Sequence, residues 1–298
     1  MFKWRAISFV VLIALLWAVF FAPGWIGVGL YVVCACGMIT LATYECAKMV
    51  DAGLSPCFPK LAGAFSALIM ALLLAAECVF RCTCGKHGPN SDVCCLIMVI
   101  VILLLVYLPW LTTVFCGDGK ARKGFTTVAA VLSTVVPFGM VAILYVRGPK
   151  YLFFVIMVTK AMDTGGYVFG MLSNKLLPGG NHKLCPSISP KKSWEGAFGG
   201  ILLSVLTAWA LYKLFPAWNF SDELGKEALW KALVYGVLLA LASIAGDLTE
   251  SALKRKCGVK DSGSLIPGMG GPLDVLDSFI YVGPVCLVYS GILNLFNL

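Results

Sequence analysis

Nine stretches of this chain are apolar for long enough to cross a lipid bilayer, near 6–22, 25–43, 61–79, 95–116, 124–146, 151–171, 197–215, 230–246 and 279–297. A helix needs about 20 such residues to cover the hydrocarbon layer. With no water there to satisfy peptide groups, the backbone must close its hydrogen bonds inside helices. Of the 298 residues, 60% are hydrophobic and only 13% charged, against about a quarter charged in a soluble domain. An ordinary soluble enzyme, a disordered chain and a fibrous repeat are therefore excluded. The expected fold class is all-α, a polytopic membrane protein of about nine transmembrane helices. No internal repeat divides it. We expect one integral membrane domain over 1–298, with plain helices in 1–150 and helices joined by polar loops in 151–298.

Charge sets the expected orientation. The start, Met1 to Arg5 followed by an apolar run, resembles a signal peptide but has no small-residue cleavage site, so we read an uncleaved first helix. The formal net charge is +8. A cytoplasmic N-terminus places most Lys and Arg on the inner side, including Lys120, Arg122, Lys123, Lys191, Lys192, Lys254, Arg255 and Lys256, as positive-inside topology requires. The C-terminus then lies outside, and two polar loops, about 172–196 and 247–278, share the cytoplasmic face of a cell (inner) membrane. The basic excess is explained by the bilayer, and no nucleic-acid partner is implied. Cys78, Cys82, Cys84, Cys94 and Cys95, near His87, form the one cysteine cluster; a disulfide and a metal both stay open for it, since its spacing matches no common zinc pattern.

Acidic residues are scarce, so their positions carry information. Asp247, Glu250, Ser251 and Lys254 recur at helical spacing and line one stripe at the inner end of the eighth span. Arg255, Lys260 and a Gly/Pro-rich segment follow, and the chain re-enters helix with Asp274 and Asp277 one turn apart. Asp247, Asp274 and Asp277 are suited to sharing a hard cation such as Mg²⁺, which takes carboxylate oxygens and substrate phosphates. Lys254, Arg255 and Lys260 would neutralise phosphate oxygens. The plainer alternative is a positive-inside loop in which Asp274 complements a helix dipole. A second constellation is Asp163 with Lys160 in the sixth span, followed by Ser189-Pro190-Lys191-Lys192-Ser193-Trp194-Glu195-Gly196. Charges inside a span are costly, so Lys160 and Asp163 either pair or line a polar cavity.

These stretches, Gly246-Asp247 through Lys254-Arg255, Lys260-Asp261, Pro267-Gly268-Met269-Gly270-Gly271 and Asp274 to Asp277, together with Asp163-Thr164 and the Ser189–Gly196 run, resemble the phosphatidate cytidylyltransferase (CDP-diacylglycerol synthase) family. The resemblance covers roughly 157–282. It implies a multi-span fold, commonly a homodimer, that makes CDP-diacylglycerol and pyrophosphate from CTP and phosphatidate with Mg²⁺. By that resemblance Asp247 and Asp274 are metal-binding aspartates and Ser251, Lys254 and Asp277 lie around the same centre; we expect Asp247, Asp274 and Asp277 to hold the metal, and these three with Lys254 to form the catalytic group. Asp163, Ser189, Lys191, Lys192, Ser251, Arg255 and Lys260 are the expected substrate contacts. The resemblance also implies a second, monovalent cation near the metal. Met269 and Val275 stand where the family usually has His and Arg. Two other readings are kept open: a transporter using Lys160 and Asp163 as an ion path, and a related CTP-dependent lipid enzyme with another acceptor.

Overall fold

The computed structural model describes residues 2–22, 24–84, 119–214, 228–267 and 270–295. They are mostly helical. In chain order they form α1 (Phe2–Phe21), α2 (Gly24–Gly53), α3 (Pro59–Cys84), α4 (Gly119–Arg147), α5 (Pro149–Leu176), β1 (Lys183–Cys185), β2 (Ser189–Ser193), α6 (Trp194–Leu214), α7 (Ala228–Lys256), α8 (Pro272–Leu276), a 3-10 turn (Asp277–Phe279) and α9 (Val282–Leu295). Six helical segments among the described residues are long and apolar enough to cross a membrane: Ile26–Gly53, Arg122–Tyr145, Pro149–Leu176, Trp194–Leu214, Leu229–Lys256 and Pro272–Tyr289. The first and third expected spans are helical too, but their apolar described parts, Val10–Phe21 and Pro59–Ala75, are shorter. The expected span at 95–116 lies outside the described residues, as do Cys94, Cys95 and His87 of the cysteine cluster; Cys78, Cys82 and Cys84 lie on α3.

Two expectations about loops are corrected. The fold is not purely α-helical, because 172–196 is not a plain loop. Helix α5 runs on to Leu176, and β1 pairs antiparallel with β2, Lys183 opposite Ser193 and Cys185 opposite Ser189. The second loop begins later than 247: α7 continues to Lys256, in keeping with the helical spacing of Asp247, Ser251 and Lys254. It stops at Gly258, whose φ of +72° lets Gly258 N–H bond the Arg255 carbonyl at 3.1 Å and Val259 N–H the Lys254 carbonyl at 2.9 Å. This is the left-handed glycine stop that closes many helices.

The described residues divide into two compact units, 1–147 with 254–276, and 148–253 with 277–298. In the first, α2, α3 and α4 pack together, and polar side chains are satisfied between helices: Thr43 Oγ1 meets Thr134 Oγ1 at 2.8 Å, and Tyr31 donates to the Ala142 carbonyl at 2.7 Å. The 254–276 segment joins this unit because α2 ends in Gly53, where a Cβ would lie 2.5 Å from the Cys257 Cα. In the second unit, α5 and α6 cross through glycines. A Cβ on Gly165 would sit 2.8 Å from the Gly200 Cα, and one on Gly196 would sit 2.7 Å from the Gly166 carbonyl oxygen. Small residues allow this approach in a membrane, where packing rather than hydrophobic exclusion drives association. The rest of that core is tied by Tyr151 donating to the Tyr235 hydroxyl at 2.7 Å and Tyr235 donating to Cys286 Sγ at 2.8 Å. Gly165→Leu is expected to lower stability by about 1–3 kcal/mol through overpacking, read as a drop in the thermal midpoint of detergent-purified protein; an unchanged midpoint would contradict the close crossing.

Candidate active site

The second unit encloses a cavity of about 230 Å³, lined among others by Asp163, Tyr167, Lys191, Lys192, Ser243 and Asp247. Each wall has a local cause. Lys191 and Lys192 stand on β2, whose last residue, Ser193, accepts the Gly196 N–H at 3.1 Å and so caps α6. The strand is held beside the helix start because Trp194 N–H bonds the His182 carbonyl at 2.9 Å, while Glu195 accepts His182 N–H at 3.1 Å. Asp163 comes from α5, where Gly166 and Gly165 bring the helix backbone close to α6. Asp247 comes from α7.

Opposite charges are brought together here. Lys192 Nζ lies 2.7 Å from Asp247 Oδ2, with side chains 23% and 33% exposed. Ser251, one turn on, donates to Asp247 Oδ1 at 3.2 Å. Lys160 and Asp163 pair at 2.9 Å, the first of the two alternatives read from the sequence, and of the two Asp163 lines the cavity. Asp163 further accepts Ser243 Oγ at 3.1 Å and Ser278 Oγ at 3.0 Å. Asp277 accepts its neighbour Ser278 N–H at 2.6 Å and lies within electrostatic reach of Asp247, Lys160 and Asp163. Carboxylates gathered in this way raise one another's affinity for cations, and Lys160 and Lys192 supply two of them. Lys191 is exposed at the cavity. Ser189 opens β2 opposite Cys185 and does not line the cavity.

The first unit holds the remaining expected residues. Lys254 Nζ bonds Asp274 Oδ1 at 2.8 Å, with side chains only 12% and 10% exposed. Asp274 also accepts Gly271 N–H at 2.7 Å, Ser262 Oγ at 2.9 Å and Ser262 N–H at 3.1 Å. A carboxylate offers about four acceptor directions, and these donors fill them. Gly270, at φ +96°, leaves room for this carboxylate, since a Cβ there would strike Asp274 Oδ2. Arg255 donates to the Val259 carbonyl at 3.3 Å, and Lys260 is exposed. Met269 lies outside the described residues, and Val275 sits in α8 with its N–H on the Gly271 carbonyl at 3.3 Å. Among the described residues no three Asp, Glu, His or Cys side chains form a ready metal cage.

Sequence reasoning missed Ser243, Ser262 and Ser278, which carry no signal apart from their neighbours. It also missed Glu45, for which a signal existed: an acidic residue inside an apolar run.

Lysines paired with half-buried carboxylates, beside a small cavity among apolar helices, mark a multi-pass membrane protein with charged groups gathered at one locus. The chain belongs to the cytidylyltransferase family, whose model matches residues 3–293. It is 34% identical over 193 residues to the phosphatidate cytidylyltransferase of Staphylococcus epidermidis, covering 63% of this chain and 69% of that protein. It is 33% identical over 227 residues to the Staphylococcus haemolyticus protein of the same name, covering 75% and 76%. The Staphylococcus saprophyticus protein of that name is 37% identical over 171 residues, covering 56% and 60%.

Proposed function

We propose that this chain is a phosphatidate cytidylyltransferase that joins CTP to phosphatidate, giving CDP-diacylglycerol and pyrophosphate. The observation that carries the reading is the family match along nearly the whole chain, in a protein whose cavity sets Lys191 and Lys192 beside Asp163 and Asp247. In the reaction, an oxygen of the phosphatidate phosphate forms a bond to the α-phosphorus of CTP. The bond from that phosphorus to its bridging oxygen breaks, and pyrophosphate leaves with the electron pair. The nucleophile is already an anion at neutral pH, since a phosphomonoester has a second pKa of about 6. No general base is needed, and the catalytic task is to bring two anions together and hold them in line.

The chain's own groups suit that task. Lys191 and Lys192 attract phosphate oxygens, and Asp247 holds the Lys192 ammonium at 2.7 Å until an anion competes for it. For Arg255, Lys260, Ser189 and Ser251 the support as substrate contacts is their place in the sequence pattern. The acyl chains remain in the bilayer.

Mg²⁺ belongs to this reading. Asp247, Asp274 and Asp277 offer the carboxylate oxygens a hard cation takes, and ammonium groups already rest against two of them, Lys192 on Asp247 and Lys254 on Asp274. For Asp274 the support as a metal residue is its place in the sequence pattern. When bound, the ion would stabilise the charge that builds on the departing pyrophosphate. A second, monovalent cation, a homodimer, nine spans with the N-terminus inside, and residence in the cell's inner membrane complete the proposal; positive-inside charge supports the orientation.

Purified protein is expected to release pyrophosphate only when CTP, phosphatidate and a divalent cation are all present, and chelation is expected to abolish release. Solute flux without pyrophosphate release would instead favour a transporter built around Lys160 and Asp163. Release with a different lipid but not with phosphatidate would point to another acceptor.

A further inference from the structure

Glu45 lies on α2, inside the apolar segment Ile26–Gly53, and is only 7% exposed. A carboxylate at such a place is costly unless it is used. Its Oε2 accepts Ser262 Oγ at 3.2 Å and Leu273 N–H at 3.2 Å. Ser262 lies between α7 and α8 and Leu273 in the first turn of α8, so one carboxylate holds both. The segment between them is shaped around it: a Cβ on Gly263 or on Gly271 would strike the Glu45 carboxylate. Ser262 is the link to Asp274. Its single hydroxyl proton lies between Glu45 Oε2 at 3.2 Å and Asp274 Oδ2 at 2.9 Å, and its N–H bonds Asp274 as well. Two like charges are thus held around one hydroxyl, an arrangement that fixes geometry at some cost in repulsion.

We propose that Glu45 is a positioning residue, which clamps the 262–273 segment and through Ser262 sets the orientation of the Asp274 carboxylate and its Lys254 partner. The effect on turnover rests on the cytidylyltransferase reading above; the effect on the segment does not.

Three variants of the full chain in detergent separate the roles. Glu45→Gln keeps the length and, with its carbonyl oxygen where Oε2 stands, still accepts Leu273 N–H and Ser262 Oγ. It is expected to keep turnover within a few-fold. Glu45→Asp cannot reach both ends of the segment, and Glu45→Ala reaches neither. Turnover in Glu45→Ala is expected to fall by about 10²-fold, the scale of a small misplacement of a reacting group, with KM for CTP little changed and Glu45→Asp between the two. Hydrogen exchange of residues 262–273 is expected to quicken in the same order, with α4 and α5 protected as before. Glu45→Ala turning over at the normal rate with unchanged exchange would overturn the proposal. So would Glu45→Gln failing as badly as Glu45→Ala while its segment stays protected, because charge and not position would then be what matters. If wild-type protein shows no turnover with CTP and phosphatidate but the exchange order holds, the clamp stands and the reaction assignment falls. Should Glu45→Ala fail to fold, the Gln and Asp variants still decide.

Discussion

Asp274→Asn is expected to cut pyrophosphate release by about 10²–10³-fold, the scale seen when one preorganised charge-stabilising group is lost, and to destabilise the protein as well. The reason lies in its partners. Lys254 and Asp274 are both almost buried, and removing one member of such a pair leaves the other charge uncompensated, at a cost of about 3–5 kcal/mol. An asparagine also has one acceptor oxygen where aspartate has two, so its amide would point donors at the Lys254 ammonium or at the Gly271 N–H and the Ser262 hydroxyl. Combining Asp274→Asn with Lys254→Met should recover part of the lost stability and none of the lost turnover. A near-normal rate in purified Asp274→Asn would remove Asp274 from the chemistry and leave it a loop anchor.

The second large effect belongs to Lys192. Lys192→Met is expected to raise KM for CTP by about 10–100-fold, corresponding to loss of one hydrogen bond to a charged group. Stability should change by less than about 1 kcal/mol, because the Lys192–Asp247 pair is partly open to solvent. An unchanged KM with a collapsed thermal midpoint would make Lys192 a structural partner of Asp247 and not a substrate contact.

Much of this was legible in the chain itself. Hydrophobic run length is a direct physical requirement of the bilayer, so most spans could be placed from it. The stripe of Asp247, Ser251 and Lys254 follows from helical periodicity, and Ser251 does bond Asp247. What stayed hidden depends on contacts distant in sequence. No pattern of spacing tells Lys192 to meet Asp247 or Lys254 to meet Asp274, and a reading by charge alone assigned both lysines to phosphate. The β1–β2 hairpin escaped notice because three- and five-residue strands full of Lys, Ser and Pro lack the alternation that marks longer ones. Glu45 was the clearest omission. Attention to scarce acidic residues stopped at the second half of the chain, although the same cost argument applied to α2.

The seam between α5 and α6 has a consequence for catalyst engineering. Gly166 and Gly196 belong to the cavity lining, and the backbones behind them nearly touch. A wall made of main chain has no rotamers to exchange, so it cannot yield to a bulkier guest, and a new methyl group there would jam the bundle. Any widening of this cavity must come from its side chains, by trimming Tyr167 or the lysines of β2. Libraries aimed at reshaping this cavity should vary those positions and leave the glycines fixed.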